Sequence, residues 1–270
     1  MVLATRSFGE GRPIVLLPWF GLDGAVTAMA FEPAFADRAG WRRIYLDLPG
    51  TGDSPPVAAN SDAVLDALAE TVHELVGGAP CLLAGCSYGG YLAAGLVRRR
   101  STQIAGLLLV CAGVKIRPAE RNLSRLVPSS PQPGWLDGVP QRWHEHFQHA
   151  VGAQTAAVAR RVVDAVEGNA PTDDDFLGRL RAKGYRLSDE GAPYVFPEPT
   201  MLVAGTQDRV AGYLDLFDAL GSYSKGEYHA LSDAGHYLPF EQPQRFAALV
   251  RDWLSRSGSA RQAAAAPSRR

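Results

Sequence analysis

The chain has 270 residues, of which 46% are hydrophobic, enough to bury one parallel sheet and carry an inserted segment. A formal net charge of −1 removes any global electrostatic case for nucleic acid or an anionic membrane surface as a partner. No apolar run of about 18 residues occurs, and the stretch Met1 to Gly9 lacks a signal-peptide core, so a cytoplasmic location is expected.

Residues 13–17 read as the first buried strand and run into Pro18-Trp19-Phe20-Gly21. Residues 43–48 read as the next strand and end in the turn Asp47-Leu48-Pro49-Gly50-Thr51-Gly52-Asp53-Ser54. Over 61–76, Val64, Leu65, Leu68, Val72, Leu75 and Val76 recur at helical spacing, with Ser61 as the expected N-cap. Residues 81–85 form a third strand, and 91–100 a helix. Between them lies Gly85-Cys86-Ser87-Tyr88-Gly89-Gly90. Strands are then expected at 106–111, 200–205 and 227–231, and a helix at 243–254 with Phe246, Leu249, Val250 and Trp253 on one stripe. The strand runs lack polar alternation, as parallel strands covered on both faces do. Strand and helix alternate, which predicts an α/β fold with a mostly parallel, doubly wound sheet.

Strand, sharp turn and helix around Ser87 are the setting of a G-x-S-x-G nucleophile elbow. The turn needs small residues on either side of the serine, supplied by Gly85 and Gly89. A serine hydroxyl attacks only when a base takes its proton, and the base needs an orienting carboxylate. His236, in Asp233-Ala234-Gly235-His236, follows the last strand, and Asp208, in Gly205-Thr206-Gln207-Asp208, follows the strand before it. All three residues fall at the carboxyl ends of strands, where open α/β sheets bind ligands. Asp215 and Asp218 are rival acids, but they sit in a helical-looking stretch that reads as a solvated face.

With these residues the chain resembles the α/β-hydrolase-fold superfamily of esterases, thioesterases and carbon–carbon hydrolases. Two further segments carry the resemblance: the D-x-P-G-x-G-x-S turn from Asp47 to Ser54, and Ala234-Gly235-His236 continuing to Glu241 and Pro243 as A-G-H-x-x-x-x-E-x-P. The likeness covers about residues 12–115 and 198–255. It implies a serine hydrolase or acyltransferase with Ser87, Asp208 and His236 as catalytic residues, and no metal or organic cofactor. It also implies an oxyanion hole formed by the backbone N–H groups of Phe20 and Tyr88. The family's usual H-G-x-G is replaced here by Pro18-Trp19-Phe20-Gly21, so Trp19 is expected to occupy space beside that loop.

The expected organisation is a core of residues 1–114 and 199–255, a mainly helical lid at 115–198 and a flexible tail at 256–270. Within the lid, helices are expected at about 141–167 and 172–183. Trp143 and Tyr185, with Trp19, are the candidate substrate-binding residues. His144, His146 and His149 lack metal-site spacing: H-E-x-x-H would need a histidine where Gln148 stands. The three cysteines, Cys81, Cys86 and Cys111, suit reduced thiols, and Cys86, although adjacent to Ser87, reads as packing. The expected partner is a small acyl substrate, free or delivered on a carrier protein. Cleavage of an ester or thioester is the leading function. Transfer of the acyl group to an alcohol, amine or thiol is the alternative, and a non-catalytic ligand receptor on the same fold is the second alternative.

Overall fold

Leucine, isoleucine and valine runs without alternation need cover on both faces, and the fold supplies it. The computed structural model describes residues 2–123, 125 and 131–265. Its sheet comprises β1 (Thr5–Phe8), β2 (Arg12–Leu17), β3 (Trp41–Leu46), β4 (Cys81–Cys86), β5 (Ile104–Val110), β6 (Thr200–Gly205) and β7 (Gly226–Leu231). Their spatial order is β1-β3-β2-β4-β5-β6-β7. All neighbours run parallel except β1, which pairs antiparallel with β3. β1 is absent from the sequence expectation. Its four residues are all exposed, so no hydrophobic pattern announces it; backbone pairing and the Phe8 ring, edge-on to Tyr45, tie it to β3.

Successive residues of a strand enter opposite apolar layers. Ile14, Leu16, Leu82 and Ala84 join the layer holding Phe31, Phe246 and Trp253, whereas Val15, Leu17 and Leu83 join the layer holding Val64, Leu68 and Leu92. The first layer is covered by α1 (Gly24–Phe31), α8 (Leu238–Glu241) and α9 (Pro243–Ala265), the second by α2 (Ser61–Val76), α3 (Tyr88–Arg100) and α7 (Leu214–Asp218). The sheet is doubly wound, as its β–α alternation predicts. The N-cap of α2 is Asn60, whose side chain accepts from the Ala63 N–H at 2.8 Å, rather than the expected Ser61. Ser61 is drawn away by tertiary contacts: its hydroxyl donates to the Tyr185 carbonyl at 2.7 Å and lies 2.8 Å from the Tyr88 hydroxyl. Ser61 has one proton, so the Tyr88 phenol is the donor in that pair.

The turn after β3 is held by Asp47. Its carboxylate accepts from the N–H groups of Gly24 and Asp53, and its carbonyl accepts from the Ser54 hydroxyl at 2.7 Å. The segment between β5 and β6 carries α4 (His144–Ala150), α5 (Ala156–Glu167) and α6 (Asp174–Arg179), the last continuing into a π-helical turn at Leu180–Gly184. The single helix expected at 141–167 is therefore split. The break at 151–155 lets Gly152 pack against Ala234 and Gly235, and Thr155 caps α5 by accepting from the Val158 N–H. Val158, Val162 and Val166 of α5 lie in the same apolar layer as Trp19 and Phe31, so this helix is built into the core.

The helix α9 runs on to Ala265, past the boundary expected for a tail. Ser257 is buried and its carbonyl accepts from Arg12 at 2.9 Å, while Arg256 pairs with Glu227. A small residue and a bridging arginine leave no apolar stripe for sequence reading to follow. The rest of the expected tail, 266–270, lies outside the described residues. No described helix is long and apolar enough to cross a membrane.

Candidate active site

Ser87 ends β4 and opens α3, with φ of +53°. A left-handed conformation is costly for a residue with a Cβ, and such strain persists only where surrounding contacts over-determine it. Here the Ser87 N–H donates to the Val110 carbonyl at 3.0 Å, and the Ser87 carbonyl accepts from Tyr91 at 3.0 Å and Gly113 at 3.2 Å. The flanking glycines are required by space. A Cβ at Gly85 would lie 2.5 Å from the Gly89 carbonyl oxygen, and one at Gly89 would lie 2.4 Å from the Pro18 carbonyl oxygen.

His236 sits in the loop between β7 and α8, held from three sides. Its N–H donates to the Ala150 carbonyl at 2.6 Å, its carbonyl accepts from the Trp19 indole at 3.3 Å, and its ring meets Tyr237 edge-on. Nδ1 lies 2.9 Å from Asp208 Oδ2, and Nε2 lies 2.9 Å from the Ser87 hydroxyl. A carboxylate facing Nδ1 fixes the proton there, which leaves the Nε2 lone pair for the serine proton. Asp208 Oδ1 accepts from the N–H groups of Val210 at 2.8 Å and Ala211 at 2.9 Å. Burial by itself would raise the Asp208 pKa, but the His236 ring beside it and these hydrogen bonds outweigh burial and hold the carboxyl below its ordinary value. The rival acid Asp215 is engaged elsewhere, with the Lys115 ammonium at 2.7 Å and the Asn122 N–H at 2.8 Å. The structure thus brings Ser87, His236 and Asp208 into one hydrogen-bonded row and leaves Asp215 out of it.

This row meets a cavity of about 430 Å³ whose walls include Trp19, Phe20, Tyr88, Trp143, His146 and Tyr185. Tyr88 is the first residue of α3, so its N–H has no carbonyl partner within the helix. The next N–H, of Gly89, donates to the Pro18 carbonyl at 3.0 Å and ties the 18–20 loop to the elbow. Phe20 consequently lies beside Tyr88, their rings 5.4 Å apart. Trp19 is only 2% exposed. Its ring packs against Tyr237 and Phe240 and its indole holds the His236 carbonyl, so it braces the histidine loop as well as lining the cavity. Trp143 lines the cavity while its indole donates to Glu167. Tyr185 closes a triangle of rings with Phe20 and Tyr88, its centroid 5.3 Å and 5.2 Å from theirs.

Sequence reasoning missed four residues here. His146 lines the cavity and shares a 3.1 Å hydrogen bond with the Tyr237 hydroxyl. Burial above all, helped by the nearby His236, pushes its pKa down to about 4, so it is neutral at ordinary pH. Arg121 and Arg181 also line the cavity. Glu241, the acid of the A-G-H-x-x-x-x-E-x-P motif, is buried and joins two segments. Its Oε1 accepts from Gly235 at 2.9 Å, and its Oε2 from Gly152 at 2.8 Å and Ala153 at 2.9 Å. The motif itself was the available signal for Glu241; the other three belong to a segment with no pattern to follow. Cys86 and Cys111 are fully buried free thiols whose pKa burial drives well upward, so neither carries a ready thiolate.

Glu241 yields a stability prediction. Burial raises its pKa to about 7, with the three N–H donors opposing the shift. A carboxyl raised above its unfolded value adds stability that is full below about pH 4.5 and is lost as pH rises through about 7. Glu241→Gln turns an NH₂ toward at least one backbone donor, at a cost of about 1–3 kcal/mol. Denaturation midpoints are expected to fall, and by more at pH 5 than at pH 8. An equal fall at both pH values would show that Glu241 does not titrate between them.

Residues 14–249 match the family described as the alpha/beta hydrolase family. Among curated proteins, the pimeloyl-[acyl-carrier protein] methyl ester esterase of Shewanella woodyi is 31% identical over 110 residues, 41% of this chain and 40% of that protein. The protein of the same name from Aeromonas hydrophila is 35% identical over 112 residues, 42% of each chain. The matched stretch thus spans about two-fifths of the length of these relatives. Among solved structures, an alpha/beta superfamily hydrolase from Oenococcus oeni superposes with a TM-score of 0.84 over 96% of this chain and 98% of that one, at 24% identity. That likeness is one of fold.

Proposed function

The chain belongs to the alpha/beta hydrolase family, and from that premise we propose that it cleaves an ester or thioester through an acyl-enzyme formed on Ser87. The observation that carries this reading is the hydrogen-bonded row Ser87–His236–Asp208 at the cavity wall. In the proposed reaction Ser87 Oγ attacks the substrate carbonyl while His236 Nε2 takes its proton. Asp208 keeps the imidazole in the right tautomer and stabilises the imidazolium that forms. The oxyanion is received by the N–H groups of Tyr88 and Phe20, and each such donor contributes about 10²–10³ in rate. His236 then returns the proton to the leaving alcohol or thiol. Water, activated by the same nitrogen, releases the acid and restores Ser87.

Residues 115–198 act in this reading as the lid that shapes the acyl pocket, with Trp143 and Tyr185 as substrate-contacting walls. The aromatic walls of the cavity, with Leu22, Ile116 and Val210 beside them, suit an apolar acyl chain. The curated relatives are named for an ester carried on acyl carrier protein, and delivery of the substrate on a carrier protein is part of the proposal for this chain. Acyl transfer is the competing outcome. A Trp19-Phe20 loop that excluded water would favour it, but Trp19 is turned mainly under the histidine loop.

The two outcomes separate by product analysis. With p-nitrophenyl esters and acyl thioesters, alone and with added alcohol, amine and thiol acceptors, free acid is expected as the main product throughout. A transferred product exceeding free acid at millimolar acceptor would replace hydrolysis by transfer.

A further inference from the structure

We propose that Arg121 and Arg181, which line the Ser87 cavity together with Tyr185, form an anion subsite there. The substrate would then carry a carboxylate or phosphate in addition to its scissile carbonyl. This rests on the hydrolase reading above and adds a substrate class to it.

Arg121 is a fixed cation. Its guanidinium donates to the Val210 carbonyl at 2.7 Å, to the Lys115 carbonyl at 3.3 Å and to the Ile116 carbonyl. These contacts orient the group without neutralising it, and a guanidinium has five N–H donors, so some are left over. Arg181 reaches in from the π-helical turn and lies over the Phe20 ring, 4.3 Å from its centroid. An aromatic face holds a guanidinium in place and leaves its edge free to donate.

Among the described residues, neither arginine has a carboxylate partner. The acids nearby are taken by other cations: Asp215 by Lys115, Glu120 by Arg117 and Arg186, and Asp175 by Arg179. No Asp or Glu appears among the described residues lining the cavity. His146 is neutral there and adds no charge. The Tyr185 oxygen reports on this field. Burial raises its pKa, while the positive charges of Arg181 and Arg121 oppose the rise and so favour negative charge at that point. The Tyr185 ring stacks on Tyr88, the residue after Ser87, and both arginines line the cavity that Ser87 lines. Guanidinium groups with no carboxylate partner, lining the same cavity as a reactive serine, are suited to a second oxyanion on the substrate.

The test is the ratio of kcat/KM for a charged ester to that for a neutral ester of the same shape. Suitable pairs are p-nitrophenyl hydrogen glutarate or p-nitrophenyl 4-phosphonooxybutanoate against p-nitrophenyl pentanoate. The two charged arms separate a carboxylate from a phosphate. Wild type is expected to favour at least one charged ester by about tenfold or more, the worth of one charge-assisted hydrogen bond. Arg181→Gln, at an exposed position, is expected to lower that ratio about tenfold, Arg181→Lys to restore part of it, and higher salt to shrink it. A wild-type ratio of one or less for both charged esters, or a ratio unmoved by Arg181→Gln, overturns the subsite while leaving hydrolysis standing. If no ester is turned over, the hydrolase reading fails by itself. The subsite is then read by calorimetry: monomethyl glutarate is expected to bind at least tenfold more tightly than methyl pentanoate, with Arg181→Gln removing the difference. Equal affinities would overturn it.

Discussion

Ser87→Ala is expected to lower ester turnover by about 10⁴-fold or more while moving the melting temperature by no more than about 2 °C. The two effects separate because the hydroxyl and the backbone of Ser87 have different partners. The hydroxyl meets His236 Nε2 at 2.9 Å, and the backbone bonds to Val110, Tyr91 and Gly113 hold the turn. Alanine keeps those backbone bonds and bears the same left-handed strain as serine at φ +53°. Kinetics on a p-nitrophenyl ester together with thermal unfolding check both halves. Turnover near wild type in the alanine variant would remove Ser87 as the nucleophile.

His236→Ala is expected to cost about as much as Ser87→Ala, because base and nucleophile act as one unit, whereas Asp208→Asn leaves about 10–100-fold more residual activity. The asparagine case follows from the geometry. Oδ1 is needed by the Val210 and Ala211 N–H groups, so the new NH₂ stands where Oδ2 faces His236 Nδ1. A donor at that point favours the tautomer with its proton on Nε2, which cannot accept from serine. Asp215→Asn is the control. Its loss breaks the Lys115 pair and a loop contact but leaves the row intact. A silent Asp208→Asn beside an inactive Asp215→Asn would reverse the choice of acid.

What could be read from the sequence was local. The elbow at Ser87 needs its glycines within two residues, and the motif around His236 is one contiguous stretch from Ala234 to Pro243. The central strands β4, β5 and β6 are apolar runs because they are buried on both faces, whereas the edge strand β7 is only partly buried. What escaped reading depends on partners distant in the chain. The strand β1 is exposed along its length, with the Phe8 ring set against Tyr45 of β3. Ser61 looks like a cap until Tyr88 and Tyr185 claim its hydroxyl. Trp19 could be assigned to the 18–20 loop but not to a bond with the His236 carbonyl, 217 residues away. Arg121, His146 and Arg181 come from a segment whose proline-rich start and broken helices follow no period, so only the folded chain brings them to one cavity. Glu241 stood in a recognised motif, yet its role as a clasp between the histidine loop and Gly152 needs the break between α4 and α5, which periodicity passes over.

The central claim is a covalent intermediate on Ser87, and the most direct measurement is the site of covalent labelling. The protein is incubated with a fluorophosphonate probe, or quenched in acid during turnover of an acyl thioester, then digested and sequenced by tandem mass spectrometry. The predicted result is one adduct on Ser87, absent from Ser87→Ala and absent when the protein is unfolded before labelling. An adduct on the neighbouring Cys86, or an active enzyme that leaves Ser87 unmodified, would contradict it.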